Sequence, residues 1–317
     1  MGSVQDSPAE EFEEFTVLVT GFDAFKSEYP QNPSWEIARR LPEYLPARTK
    51  TASSTASSTT TAPSPASVPP VRIVVYPGPV RVNYQAVRTL VPTLWDGTPT
   101  KVGGGAYDDG KEDKEGREGT EFTPPKNIDL VLHIGMAGPR LHYALERVGR
   151  RDGYTLRDVD DQLLGDTPAD RGDPRWPWYG VPAALESHLD LDDVLARWRG
   201  HAAPGADLRI SVDAGRYLCD FIYFSSLAHL YRRDQEADHK DARYARRRVA
   251  FLHVPAAATP ERVEAGRALV VELIRSLVES EVVARGNGDT PVANASAAAA
   301  SAAAPGADTV TGKWYRD

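Results

Sequence analysis

Apolar and polar positions follow two rhythms along this chain. Short β-rich apolar runs stand at 16–20, 71–76, 129–134, 208–212 and 249–253, and stretches with helical spacing lie between them. That spacing predicts helices over 33–41, 83–91, 182–199, 214–231 and 259–283. Asn32 before Pro33 and Thr259 before Pro260 read as helix starts. A side-chain oxygen there accepts an orphan backbone N–H, and proline has no N–H to lose. Strands without a polar face, followed by helices, predict a mostly parallel sheet covered on both sides. The expected fold is therefore α/β, a three-layer α/β/α sandwich. Ligands of such sheets sit beyond the carboxyl ends of the strands. The segments 21–25, 135–140, 213–219 and 253–255 are thus expected to share one site.

Three stretches carry neither rhythm. Residues 49–70 are rich in Ser, Thr, Ala and Pro, 97–123 are glycine-rich and charged, and 286–317 are a low-complexity Ala/Ser tail. None can bury a face, so the first two are expected to be disordered inserts and the third a disordered tail. With an acidic segment at 1–15 set aside, a single catalytic domain is expected over 16–283. Its folded part should be roughly 200–230 residues, enough for one core. The formal charge of −8 disfavours nucleic acid and anionic membranes as partners, because no basic field dominates. No apolar run approaches a bilayer span. An acidic start without a hydrophobic signal region and a single cysteine point to the cytoplasm.

That cysteine is the centre of the candidate chemistry. Cys219 follows the run ending near Asp213 and lies in the first turns of a predicted helix. Positive charge at a helix N-terminus favours thiolate over thiol. A nucleophilic cysteine needs a base, and the base an orienting group. His253 closes the run Val249-Ala250-Phe251-Leu252 at the expected ligand edge, which makes it the best-placed histidine. His229 lies ten residues after Cys219 on the same predicted helix, roughly 15 Å along the axis and too far to serve. His133 sits inside an apolar strand and reads as a core residue, while His188, His201 and His239 read as solvated. Glu146 is a candidate orienting carboxylate; an ion pair with Arg147 or Arg150 explains it equally well from sequence alone. No pair of histidines has metal-ligand spacing and Cys219 has no cysteine partner, so neither metal nor cofactor is expected. Gly21 lacks the further glycines of a dinucleotide loop.

Four blocks in order resemble the pyroglutamyl peptidase type I (pyrrolidone carboxyl peptidase) family of cysteine peptidases. They are Val19-Thr20-Gly21-Phe22-Asp23-Ala24-Phe25 with Gln31-Asn32-Pro33-Ser34-Trp35-Glu36, His133-Ile134-Gly135-Met136-Ala137-Gly138-Pro139-Arg140 with Glu146-Arg147, Asp213-Ala214-Gly215-Arg216-Tyr217-Leu218-Cys219-Asp220, and Phe251-Leu252-His253-Val254-Pro255. The resemblance implies an α/β/α sandwich and a Cys219-His253-Glu146 triad that removes N-terminal pyroglutamate from peptides. It further implies that Phe22 and Phe25 flank the pyroglutamyl ring, that Asn32 lies in the pocket, and that the backbone around Met136 and Leu218 reads the lactam. The first block departs from the family pattern at Ala24, Lys26 and Ser27. Two other readings compete: a non-catalytic paralogue that binds pyroglutamyl peptides or a protein partner, and a nucleoside phosphorylase-like enzyme, which the missing phosphate loop disfavours.

Overall fold

The computed structural model describes residues 14–48, 68–102, 120–236 and 247–286. Four parallel strands form the middle of the sheet: β1 (Phe15–Gly21), β3 (Val71–Val75), β6 (Leu130–Met136) and β11 (Val249–Val254). Every residue of β1, β6 and β11 is buried, as expected for strands covered on both faces. At one edge β2 (Tyr44–Leu45) pairs antiparallel with β3. At the other, β7 (Tyr143–Glu146) pairs antiparallel with β11 and parallel with β10 (Leu208–Ser211). The resulting seven-stranded order is β10-β7-β11-β6-β1-β3-β2.

Helices α2 (Tyr84–Asp96) and α5 (Leu218–Glu236) pack on one face over an aromatic core that includes Phe221, Phe224 and Phe251. Helices α1 (Pro33–Ala38), α4 (Leu191–His201) and α6 (Pro260–Gly286) bury aliphatic side chains and Trp198 on the other. The three-layer α/β sandwich read from the sequence is therefore the observed fold. Strand alternation sorts the side chains: Phe251 belongs to the α5 face, and Ala250, Leu252 and Val254 to the opposite one. His253, two residues after Phe251, shares the α5 face. His133 lies on β6 between Thr20 Oγ1 at 2.7 Å and Ser226 Oγ at 2.8 Å. Burial lowers its pKa to about 3, so the ring is a neutral core group.

Three expectations need correction. The helix expected over 182–199 is instead a strand, β9 (Ala184–Glu186), followed by α4, which Asp190 caps by accepting from Asp193 N at 3.0 Å. Val181 and Leu185 enter the aromatic core while Leu189 and Leu191 enter the aliphatic one, so no single helical stripe exists there. β9 pairs with β8 (Val148–Arg150) in a small separate ladder. Second, the expected disordered segments reach too far at their margins. Val68 is fully buried and bridges Arg48, and β4 (Thr100–Val102) pairs with β5 (Thr120–Phe122). Residues 49–67 and 103–119 of those segments, the 286–317 tail beyond Gly286, residues 1–13 and His239 lie outside the described residues. Third, β10 runs against β11, so its carboxyl end does not point to the shared ligand edge. The chain returns to that edge through residues 212–217, where Gly215 takes φ +85°, a left-handed conformation suited to glycine. Helix α5 consequently begins at Leu218 rather than at 214.

Candidate active site

Cys219 is the second residue of α5 and is 9% exposed. Its Sγ rests on Gly135 of β6: a Cβ built there would stand 2.7 Å from Sγ and 2.7 Å from Phe251 Cζ. Gly135 is the register partner of His253 on β11. The His253 ring stands edge-on to Phe251 with centroids 4.9 Å apart. Cysteine, glycine and histidine are thus gathered at one point by a helix start and two adjacent strands.

His253 Nδ1 is 2.7 Å from Glu146 Oε1. Both side chains are almost completely buried. With Nδ1–H donating to the carboxylate, the Nε2 lone pair is left to accept a proton. Glu146 occupies the last position of β7, on the α5 side by the same alternation that places Leu145 on the other. Burial raises the Glu146 carboxyl, but the His253 hydrogen bond, the charges of His253 and Arg140, and the Ser211 hydroxyl together hold it below the usual range. Neither arginine expected from sequence as its ion partner reaches it. Arg147 pairs with Asp192 and Arg150 with Asp213, whereas Arg140 Nη1 lies 2.5 Å from Glu146 Oε1.

The helix-terminus argument for a resting thiolate does not hold. Burial pushes the Cys219 thiol well up, the Glu146 and Asp220 charges push it further, and Arg140 opposes them. These surroundings favour the protonated thiol over the thiolate. Asp220 itself is raised to about 7, first by burial and against the pull of Arg216.

A small cleft opens beside the sulfur, lined by Phe22, Phe25, Asn32, Val82, Met136, Tyr217, Leu218 and Cys219. All five residues assigned to substrate contact from the sequence line it. Phe25 faces Tyr217 at 6.3 Å between ring centroids, so the altered residues 24–27 still deliver that ring to the cleft. Asn32 does more than line it. Its Oδ1 accepts from Ser34 N at 3.1 Å and Ser34 Oγ at 2.8 Å, and its Nδ2 donates to Asp23 O at 2.8 Å. Ser34 Oγ in turn accepts from Phe22 N at 3.0 Å. Asn32 therefore caps α1 and ties down the loop that carries both phenylalanines. Val82 and Tyr217 were missed in the sequence. Tyr217 stands two residues before Cys219 and could have been found from that spacing; Val82 carried no signal.

The other histidines lie elsewhere. His229 approaches Asp96 at 3.2 Å, and His201 Nε2 lies 2.9 Å from Glu279 Oε2, so His201 is bonded rather than simply solvated. His188 is also engaged: its Nδ1 accepts from Arg247 N at 3.4 Å. Among the described residues no helix is long and apolar enough to cross a membrane.

No protein-family model matches the chain. Pyroglutamyl-peptidase 1 of Rattus norvegicus is 27% identical over 271 residues, covering 84% of this chain and 92% of that protein. Pyroglutamyl-peptidase 1-like protein of Homo sapiens is 36% identical over 105 residues, 32% of this chain and 45% of its own length. The solved pyrrolidone carboxyl peptidase of Thermococcus litoralis matches with a TM-score of 0.53 at 14% identity, over 88% of this chain and 98% of the other. That last likeness bears on the fold alone.

Proposed function

This chain belongs to the pyroglutamyl peptidase type I family, and from that premise we propose that it is a cysteine exopeptidase removing N-terminal pyroglutamate from peptides, with Cys219, His253 and Glu146 as its triad. The observation that carries the reading is the single cleft in which Phe22, Phe25, Asn32, Met136 and Leu218 surround Cys219.

The chemistry follows from the geometry. As the Cys219 sulfur attacks the pyroglutamyl carbonyl carbon, the thiol proton passes to His253 Nε2. Glu146, 2.7 Å from Nδ1, holds the ring and stabilises the imidazolium. The first N–H groups of α5 have no partner inside the helix, which makes those beside Cys219 the candidate donors to the developing oxyanion. One such donor contributes about 3–4 kcal/mol in comparable acyl transfers. The C–N bond breaks, the imidazolium returns its proton to the leaving amine, and a thioester remains. Water, deprotonated by His253, then attacks the thioester. Pyroglutamate leaves and the thiol is restored.

Specificity follows from the lactam. Asn32 has committed its amide to the loop, which leaves the backbone around Met136 and Leu218 to pair the ring N–H and C=O. A residue without the lactam leaves those groups buried and unpaired. A charged N-terminal amine gains no solvation between Phe22 and Phe25. A single reduced cysteine suits work in a reducing compartment such as the cytosol.

The test is release of a fluorogenic amine from a pyroglutamyl amide. Wild type should turn over and Cys219→Ala should not. No turnover by wild type, with ligand binding retained, would favour the non-catalytic reading instead.

A further inference from the structure

We propose that Arg140 is a positioning residue of this site, holding the Glu146 carboxylate and the turn leading to Cys219 in one frame. The inference rests on the cysteine-peptidase reading above. Nothing in the motif resemblance gives Arg140 a role, and it does not line the cleft.

The geometry is two-pronged. One terminal nitrogen, Nη1, donates to Glu146 Oε1 at 2.5 Å, the same oxygen that meets His253 Nδ1 at 2.7 Å. The other, Nη2, donates to Asp213 O at 2.8 Å and reaches Ser211 Oγ at 3.4 Å. Asp213 opens the turn through Gly215 from which α5 and Cys219 start. Ser211 is the register partner of Glu146. A planar guanidinium can satisfy two acceptors in fixed directions, which a lysine ammonium on a flexible stem cannot.

The electrostatics point the same way. The Glu146 side chain has no solvent exposure, so its charge needs a partner inside the protein. His253 alternates between neutral and charged through the proposed cycle. Arg140 is the partner that stays charged throughout. Its own side chain is 24% exposed, so the slot it fills opens to solvent. That exposure makes chemical rescue feasible.

The experiment measures kcat and KM on the fluorogenic substrate for wild type, Arg140→Ala and Arg140→Lys, each checked for folding by thermal melting. Arg140→Ala should lose about 100-fold in kcat, the scale of a 1 Å misplacement, with KM within about threefold. Millimolar guanidinium should restore kcat of Arg140→Ala by about tenfold and leave Glu146→Ala unrescued. Arg140→Lys should retain folding and lose about tenfold in kcat. A folded Arg140→Ala with near wild-type kcat overturns the proposal, as does a kcat loss that guanidinium does not relieve. Should Arg140→Ala fail to fold, Arg140→Lys decides: unchanged kcat overturns the proposal, and lowered kcat at unchanged KM supports it. An inactive wild type would instead sink the peptidase reading.

Discussion

Replacing Gly135 by alanine tests the packing beneath the nucleophile. Gly135 has no positive φ, so the substitution adds volume without backbone strain. The added methyl would meet Cys219 Sγ and Phe251 Cζ, each at 2.7 Å. Carbon contacts settle near 3.5–4.0 Å, so about 0.8 Å must be found on each side. Strand β6 cannot yield, because β1 and β11 hold it on both flanks. The Phe251 ring is fully buried against Tyr223, with centroids 5.9 Å apart. The ring and the sulfur must both shift, and the displaced sulfur is the one that reaches the chemistry. Overpacking of this kind costs about 1–3 kcal/mol of stability. A nucleophile displaced by nearly 1 Å loses on the order of 100-fold in rate. Urea unfolding reads the first quantity, and turnover of the fluorogenic substrate reads the second. KM should change little, because Phe22, Phe25 and Asn32 are untouched. A Gly135→Ala enzyme with wild-type kcat would refute the placement of Sγ on this glycine.

Two further outcomes are expected. Asn32→Ala should cost about 1 kcal/mol through the lost α1 cap and raise KM more than it lowers kcat, since the freed loop carries Phe22 and Phe25; a kcat loss at constant KM would contradict that. Asp220→Asn keeps the acceptor for Arg150 N at 3.1 Å and removes a carboxyl whose pKa rises from 3.8 to about 7 on folding. The wild-type folded state holds that proton across this window while the unfolded state releases it, so this group's contribution to stability falls from about pH 4 to 7 and stays low above. The variant's unfolding free energy from urea melts should thus exceed that of wild type by a margin that widens between about pH 4 and 7 and levels off above, reaching roughly 1–4 kcal/mol. A margin independent of pH would count against a raised Asp220.

The parallel core was legible because β1, β6 and β11 are buried on both faces and carry unbroken apolar runs. The cap at Asn32 was legible in the sequence and the cap at Asn83 was not. Asn32 announced α1 through Pro33, but the first turn of α2 has no proline, and its end at Gly97 was placed too early. Strands of two to four residues such as β2, β7 and β9 hold too few positions for a period to register. The orientation of β7 and β10 was hidden for a different reason. Alternation marks which face a side chain takes, not which way its strand runs, so the edge argument reached Cys219 although one of its premises was false. Arg140 ends the second motif with no local sign of a role. Its role depends on a fork spanning Glu146 and Asp213, residues brought together by the β7–β10 pairing that no local pattern displays.

Position at a helix start suggested a thiolate, yet burial and two nearby carboxylates outweigh that end charge. A thiolate poised at rest would repel the carboxylate of Glu146 and require a resident cation beside the sulfur. Arg140 is committed to Glu146 and Asp213 O instead. A neutral thiol suits the aromatic cleft better, because it adds no second buried charge beside the Glu146 carboxylate until substrate arrives. Proton transfer to His253 then creates an imidazolium whose partner, Glu146, is already ionised and oriented. On this view activation of the nucleophile belongs to the same event as substrate binding. Alkylation of Cys219 by a small neutral electrophile should accordingly be slow at neutral pH, and Asp220→Asn should speed it only above about pH 7, where the wild-type Asp220 carries its charge.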